Sequence, residues 1–313
     1  MCTTKNNDFS LRNFAIGTAG TVAAWEAEPY LKKALKYPMG KYIQSEFKKI
    51  QGGGYRPYIE NAIRQNHLEN DVKVIDLNEK TKDSVKKFLE DGLEQKKQER
   101  KRSRKQPVNP KAERIGEKYG EKIAKILFRI IHLKSDTDKT INQVVKGENA
   151  FFAPAQNAVV CNFEKFGAPM FHEIQHKLNS KSSNILIKTL AQIRNPLAIF
   201  GPLAVSATAL LTDKKEEGQG LNDKIKNNCG LLSTLCMLPL TAEEFIANIK
   251  GTEVAKKAGV TGDMLAKVKK CHKISMMSYA SGAIITGLAT YGANKIRDLI
   301  CSEKIPKAPR QSA

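Results

Sequence analysis

Three stretches in the second half of the chain carry no charged side chain: Pro196–Leu211 has sixteen residues, Cys229–Leu240 twelve and Ile274–Ala293 twenty. In a 313-residue chain with a net charge of +20 and 27 % charged residues, such runs must leave water, either into a protein core or into lipid. The longest run matches the length of a transmembrane helix, and its Gly, Ala and Ser suit close helix packing. The first two are shorter and read either as core helices or as the arms of a helical hairpin. A hairpin would return the chain on itself, so that the segments before 196 and after 242 end on one side.

Both of those segments carry chemistry. Residues 172–176 read His-Glu-Ile-Gln-His. Pro169 is well placed to open a helix there. On that helix, positions i and i+4 share a face, so His172 and His176 can ligate one zinc ion. Glu173 then lies near the remaining coordination position, where it can take a proton from water. A catalytic zinc needs a third protein ligand and an open position. Past the second apolar run, Thr241–Lys250 reads TAEEFIANIK and offers Glu243 and Glu244. Adjacent helix positions point about 100° apart, so only one of the two can face the metal.

The remainder reads as mainly α with a small β-sheet, an α+β chain. Residues 1–78 read as small helices with turns, punctuated by Gly52-Gly53-Gly54, with Val72–Leu77 as a strand. Residues 79–105 read as a charged helix with Val85, Phe88, Leu89 and Leu93 on one face. Pro107 and Pro110 break it, and a second amphipathic helix is expected over 111–133. Phe151-Phe152 and Ala158–Cys161 are short strands about a turn at 154–157, just ahead of the histidine helix. The second strand can form an edge that holds an extended peptide.

With these elements in place, the sequence resembles the membrane-associated zinc metallopeptidases that include the HtpX heat-shock protease and the CAAX prenyl endopeptidase. Asn149-Ala150-Phe151, the strand Ala158–Cys161, the His172–His176 motif and Glu244–Asn248 carry the resemblance, with Gly251 and Val254–Gly259 following. It covers residues 111–260 and implies a zincin-like core, with Zn2+ held by His172, His176 and Glu244. Glu173 is implied as general base, and Ala158, Val159, Val160 and Cys161 as the strand that aligns substrate. Gln175 stands where the family has glycine and Asn248 where it has an aspartate that supports a zinc-bound histidine. A catalytically inactive membrane scaffold that keeps the fold is therefore the alternative to a protein- or peptide-cleaving endopeptidase.

The expected organisation is a basic N-terminal region (1–110), a metallopeptidase-like core (111–260) containing the apolar hairpin 196–242, and a C-terminal apolar helix with a basic tail (261–313). The stretch 250–273 has seven lysines and two acids, against four and four in 212–228. By the positive-inside rule this puts the site of a membrane-associated protein on the cytoplasmic side, with lipid as a partner. The run Lys96–Arg114, with nine basic and two acidic residues, has no nucleic-acid-reading signature beside it, so no specific nucleic acid is expected. The six cysteines form no CxxC pair and read as reduced thiols. His67, His132, His272 and Tyr279 read as structural residues, and the oligomeric state is left open.

Overall fold

The computed structural model describes residues 11–103, 137–153, 156–212 and 220–302. In chain order the elements are α1 (Leu11–Lys49), α2 (Arg56–Gln65), β1 (Lys73–Asp76), α3 (Lys82–Ser103) and α4 (Thr137–Val145). Strands β2 (Phe151–Ala153) and β3 (Ala158–Cys161) follow, then α5 (Met170–Ser180) and α6 (Ile185–Leu211). The chain continues through α7 (Leu221–Asn227), α8 (Cys229–Cys236), α9 (Leu238–Lys257) and α10 (Gly262–Ser302). The molecule is thus mainly helical with a small sheet, as its patterning predicts. The helix expected over 111–133 and the basic run beyond Ser103 lie outside the described residues. One expectation is corrected: the N-terminal segment forms the single 39-residue α1, with Pro29 and Pro38 inside it, in place of several short helices.

The chain divides into two units, each built from separated segments. One takes Glu46–Leu178 and Ala247–Lys273; the other takes Met1–Ser45, Asn179–Ile246 and Ile274–Ala313. Helices α1, α5, α9 and α10 contribute to both.

In the first unit the sheet has the order β1-β3-β2. β3 runs parallel to β1, from Lys73↔Ala158 to Asp76↔Cys161, and antiparallel to β2, from Phe151↔Val160 to Ala153↔Ala158. Its alternate residues Ala158 and Val160 enter a core with Leu77, which follows β1, with Val85 and Leu89 of α3, and with Ile141 and Val144 of α4. Val159 and Cys161, on the opposite face, are equally buried. The strand expected to present an edge to substrate is therefore the middle strand, hydrogen-bonded on both sides. An extended peptide cannot add beside it; the outer strands of this sheet are β1 and β2.

The second unit is helical. Glycine sets its close crossings: a Cβ built on Gly201 of α6 would lie 2.7 Å from Cys236 of α8, and one on Gly230 of α8 3.0 Å from the Gly287 carbonyl of α10. The hairpin expected of the first two apolar runs is formed by α6 packing on α8. Buried polar ties join its helices to their neighbours: Ser206 Oγ of α6 donates to Glu28 of α1 at 2.6 Å, and Lys226 Nζ of α7 meets Asp298 at 2.8 Å and Asn294 at 2.9 Å on α10. Large apolar side chains nevertheless face outward, among them Leu186, Phe200, Leu231, Ile284, Leu288 and Leu299, each more than half exposed. Among the described residues one helical stretch, Cys229–Lys257, is long and apolar enough to cross a membrane. Ile274–Ala293, the segment favoured from its length, lies inside α10. Its Ser, Thr, Gly and Tyr side chains keep it below the same mean hydropathy.

Candidate metal centre

Helix α5 starts where Pro169 offers its carbonyl to the amides of His172 and Glu173, at 3.0 and 3.2 Å. The one-turn spacing then stacks the two imidazoles. His172 Nε2 and His176 Nε2 face each other at 2.9 Å, with the rings 80° apart in plane. Two nitrogens this close cannot both carry a hydrogen: a proton or a cation belongs between them. Two nitrogens on one tetrahedral zinc, at bonds of 2.0–2.1 Å, stand about 3.3 Å apart, so the pair is near the spacing that a single ion imposes.

Helix α9 runs antiparallel to α5, and two contacts fix the register. A Cβ on Gly251 would come within 2.8 Å of the Phe171 carbonyl and 3.1 Å of His172, so only glycine admits this approach. Two helical turns nearer the start of α9, Glu243 Oε1 accepts from Asn179 Nδ2 at 2.9 Å. Along this line α9 buries Glu243, Glu244, Ala247 and Asn248. One potential ligand atom from each of His172, His176 and Glu244 lies within 4.8 Å of the others, and all three residues are buried. These are donors of the kind zinc takes, two imidazole nitrogens and a carboxylate oxygen, so the residues present fit the ion.

The competition between the two glutamates resolves by direction. Glu244 joins the imidazoles, whereas Glu243, fully buried, bonds Asn179 and the guanidinium of Arg194. The same Arg194 Nη1 also donates to Glu244 Oε1 at 2.6 Å. Sequence reading missed Arg194 and Asn179. A signal was there: in the 27 residues of α6 the only charges are Lys188 and Arg194, and a cation in an apolar helix calls for a nearby acid.

His272, taken from the sequence as a core residue, is 2 % exposed, with its ring centre 6.0 Å from that of His172. Its Nδ1 is 2.7 Å from Thr252 Oγ1, and that hydroxyl donates its one proton to the Asn248 carbonyl at 3.0 Å. Nδ1 must therefore donate to Thr252, leaving Nε2, buried and without a hydrogen-bond partner, as a bare acceptor. Burial first, and His172 second, depress its pKa to about 3, so the ring is neutral at physiological pH.

Glu173 is half-buried on the first turn of α5. Its position is felt by two thiols. Burial and then the charges of Asp76 and Glu173 hold Cys161 well above the ordinary thiol range, and burial with Glu173 pushes Cys271 up. Cys161, Cys229, Cys236 and Cys271 are free thiols, as the absence of paired spacing predicts. His132 lies outside the described residues, His67 sits in a left-handed backbone turn (φ 52°), and Tyr279 is half-buried.

Compared with models of protein families, with curated proteins and with solved structures, the chain matches none.

Proposed function

We propose that this chain is a membrane-associated, zinc-dependent endopeptidase in which His172, His176 and Glu244 hold the metal and Glu173 is the general base. The observation that carries the reading is the meeting of three buried donors from two distant parts of the sequence within 4.8 Å. Two imidazole nitrogens and a carboxylate oxygen are the lone-pair donors that a zinc ion takes. When bound, zinc lowers the pKa of water towards ~7 and polarises a carbonyl. Glu173, on the same helix turn as His172, takes the proton released at that position and returns it to the leaving amine. The substrate backbone adds to an outer strand; β2, which begins with Phe151 of the Asn-Ala-Phe segment, is the one this reading assigns. The apolar stretch Cys229–Lys257 and the outward-facing apolar side chains of the helical unit support residence at a membrane. The lysine-rich stretch 250–273 supports a cytoplasmic orientation of the site.

The test is zinc content and turnover together. The purified chain should carry one zinc per molecule by atomic absorption and cleave a quenched peptide library. Glu173→Gln should keep the zinc and lose cleavage. A chain that takes up no zinc, or a Glu173→Gln protein that cleaves as fast as the parent, refutes the reading. One observation favours a second reading, a non-catalytic membrane scaffold: Asn248, fully buried beside the centre, brings no charge where an aspartate would strengthen a zinc-bound histidine. That reading predicts bound zinc without turnover in the parent chain.

A further inference from the structure

Resting on the reading of the helical unit as membrane-resident, we propose that the outer face of α1 binds the headgroups of an anionic bilayer through Tyr30, Lys33, Tyr37 and Lys41. These residues recur at steps of three and four, so they form one stripe about 16 Å long on the helix. All four are exposed, Tyr30 at 72 % and Tyr37 at 60 %, and Lys36 is exposed beside them. Lys41 Nζ lies 4.5 Å from the centre of the Tyr37 ring. The stripe begins one turn past the exposed Glu26. Between Glu28 and Glu46 the chain has four lysines, three tyrosines and no acid. Those two glutamates are five turns apart and lie on the opposite side of α1. Glu28 is buried, accepts from Ser206 Oγ at 2.6 Å and pairs with Lys32 at 2.8 Å. Glu46 meets Lys270 Nζ at 3.0 Å. Both acids are thus turned away from the stripe, which is left with lysines and tyrosines.

The chemistry of this face is that of a membrane–water boundary. A tyrosine ring has an apolar body and a polar tip, and lysine carries its charge on an apolar stem, so both favour the headgroup layer. The same pair recurs on α10, where Lys295 Nζ lies 5.2 Å from the centre of the exposed Tyr291 ring. The two sets are neighbours: a Cβ built on Gly292 of α10 would meet Leu31 Cδ1 of α1 at 3.1 Å. One and two turns before Tyr291, on the same side of α10, stand the exposed Leu288 and Ile284. Apolar surface therefore gives way to tyrosine and lysine along one helix. Lysine is costly in hydrocarbon, so α1 lies at headgroup depth while the apolar side chains of the unit reach the acyl chains. Anionic headgroups supply the counter-charge, which a second copy of a chain with net charge +20 does not. A single-stranded nucleic acid would also suit lysine and tyrosine, but it would leave the adjoining apolar side chains in water.

The experiment reconstitutes the full chain into phosphatidylcholine vesicles and adds spin-labelled phosphatidylserine or spin-labelled phosphatidylcholine. Electron spin resonance then gives the fraction of each lipid that the protein immobilises, with circular dichroism as the fold control. At low salt the parent should prefer phosphatidylserine by about fivefold, the scale of one lysine at an anionic surface. The preference should fall towards unity in 0.5 M salt, a concentration set by roughly halving the physiological screening length. It should fall equally in Lys33→Gln/Lys36→Gln/Lys41→Gln, whose sites are exposed and leave the fold intact. Lys80→Gln/Lys82→Gln/Lys87→Gln removes the same net charge from the other unit and should keep the preference. Equal immobilisation of the two lipids by the parent overturns the proposal and leaves membrane residence standing. A preference that survives the α1 substitutions, or that the control substitutions abolish, does the same. Tight binding of a single-stranded oligonucleotide that the α1 substitutions abolish, with no lipid preference, gives the face to nucleic acid instead and also overturns it. A parent chain that does not enter the vesicles at all overturns membrane residence as well.

Discussion

Gly251 is where the proposed centre is most sensitive to a single methyl group. A Cβ there would lie 2.8 Å from the Phe171 carbonyl oxygen and 3.1 Å from the His172 backbone, and neither neighbour is a side chain that can swing aside. Relief requires α9 to move off α5 by about half an ångström. Overpacking of this kind costs roughly 1–3 kcal/mol, against a gain of about 1 kcal/mol from replacing glycine by alanine in a helix. Gly251→Ala should therefore lose about 1 kcal/mol net in urea unfolding of the metal-free chain. The larger effect falls on the metal. Donor distances tolerate only about 0.2 Å, and Glu244 lies two turns along the same helix, so zinc affinity in a chelator competition should drop at least tenfold. Gly282→Ala is the matched control. It is also helical, its added methyl meets nothing within 4 Å, and it should stabilise by up to about 1 kcal/mol with zinc binding unchanged. If Gly251→Ala behaves like Gly282→Ala in both assays, α9 does not approach α5 closely and the argument for the shared centre fails.

Asn248→Asp should raise zinc affinity by about tenfold in the same competition, by supplying charge beside the ligands, and should lower the stability of the metal-free chain; weaker zinc binding would remove the stated reason for the Asn248 departure. His272 gives a pH dependence with a defined sign. Its folded pKa of about 3 lies below the ordinary 6.5, so between these values the unfolded chain binds the extra proton. Metal-free stability should be complete above 6.5 and fall as the pH drops towards 3, by at most about 1.4 kcal/mol per pH unit from this residue. His272→Asn should flatten that part of the profile, and an unaltered slope would mean that His272 does not titrate as a buried neutral ring. Together with Glu173→Gln, these measurements separate metal binding, catalysis and folding.

Much of the local architecture is legible because it depends on near neighbours. The period of apolar residues in 82–93, the strand pair before residue 162 and the helix opened by Pro169 all rest on steric and hydrogen-bonding rules within a few residues. The charge-free runs similarly announce helices that leave water. The N-terminal segment differs from the short helices expected of it: α1 continues through both Pro29 and Pro38. Ala158–Cys161 misled for a related reason: an all-apolar strand reads the same at an edge as in the middle, and only the pairing with β1, some eighty residues earlier, decides which it is.

The amino-acid sequence by itself determined which side chains share a helix face: His172 with His176, and Glu244 with Asn248 and Gly251. That follows from the 3.6-residue repeat and needs no knowledge of the rest of the chain. Residue spacing alone left Glu243 and Glu244 open and the resemblance implied Glu244; the tertiary structure brings Glu244 to the imidazoles and shows what holds it there. The choice between Glu243 and Glu244 depends on how α9 is rotated about its axis, and that rotation is set by Gly251 against α5 and by Arg194 and Asn179 against Glu243. These contacts join residues far apart in the chain, so no local pattern records them.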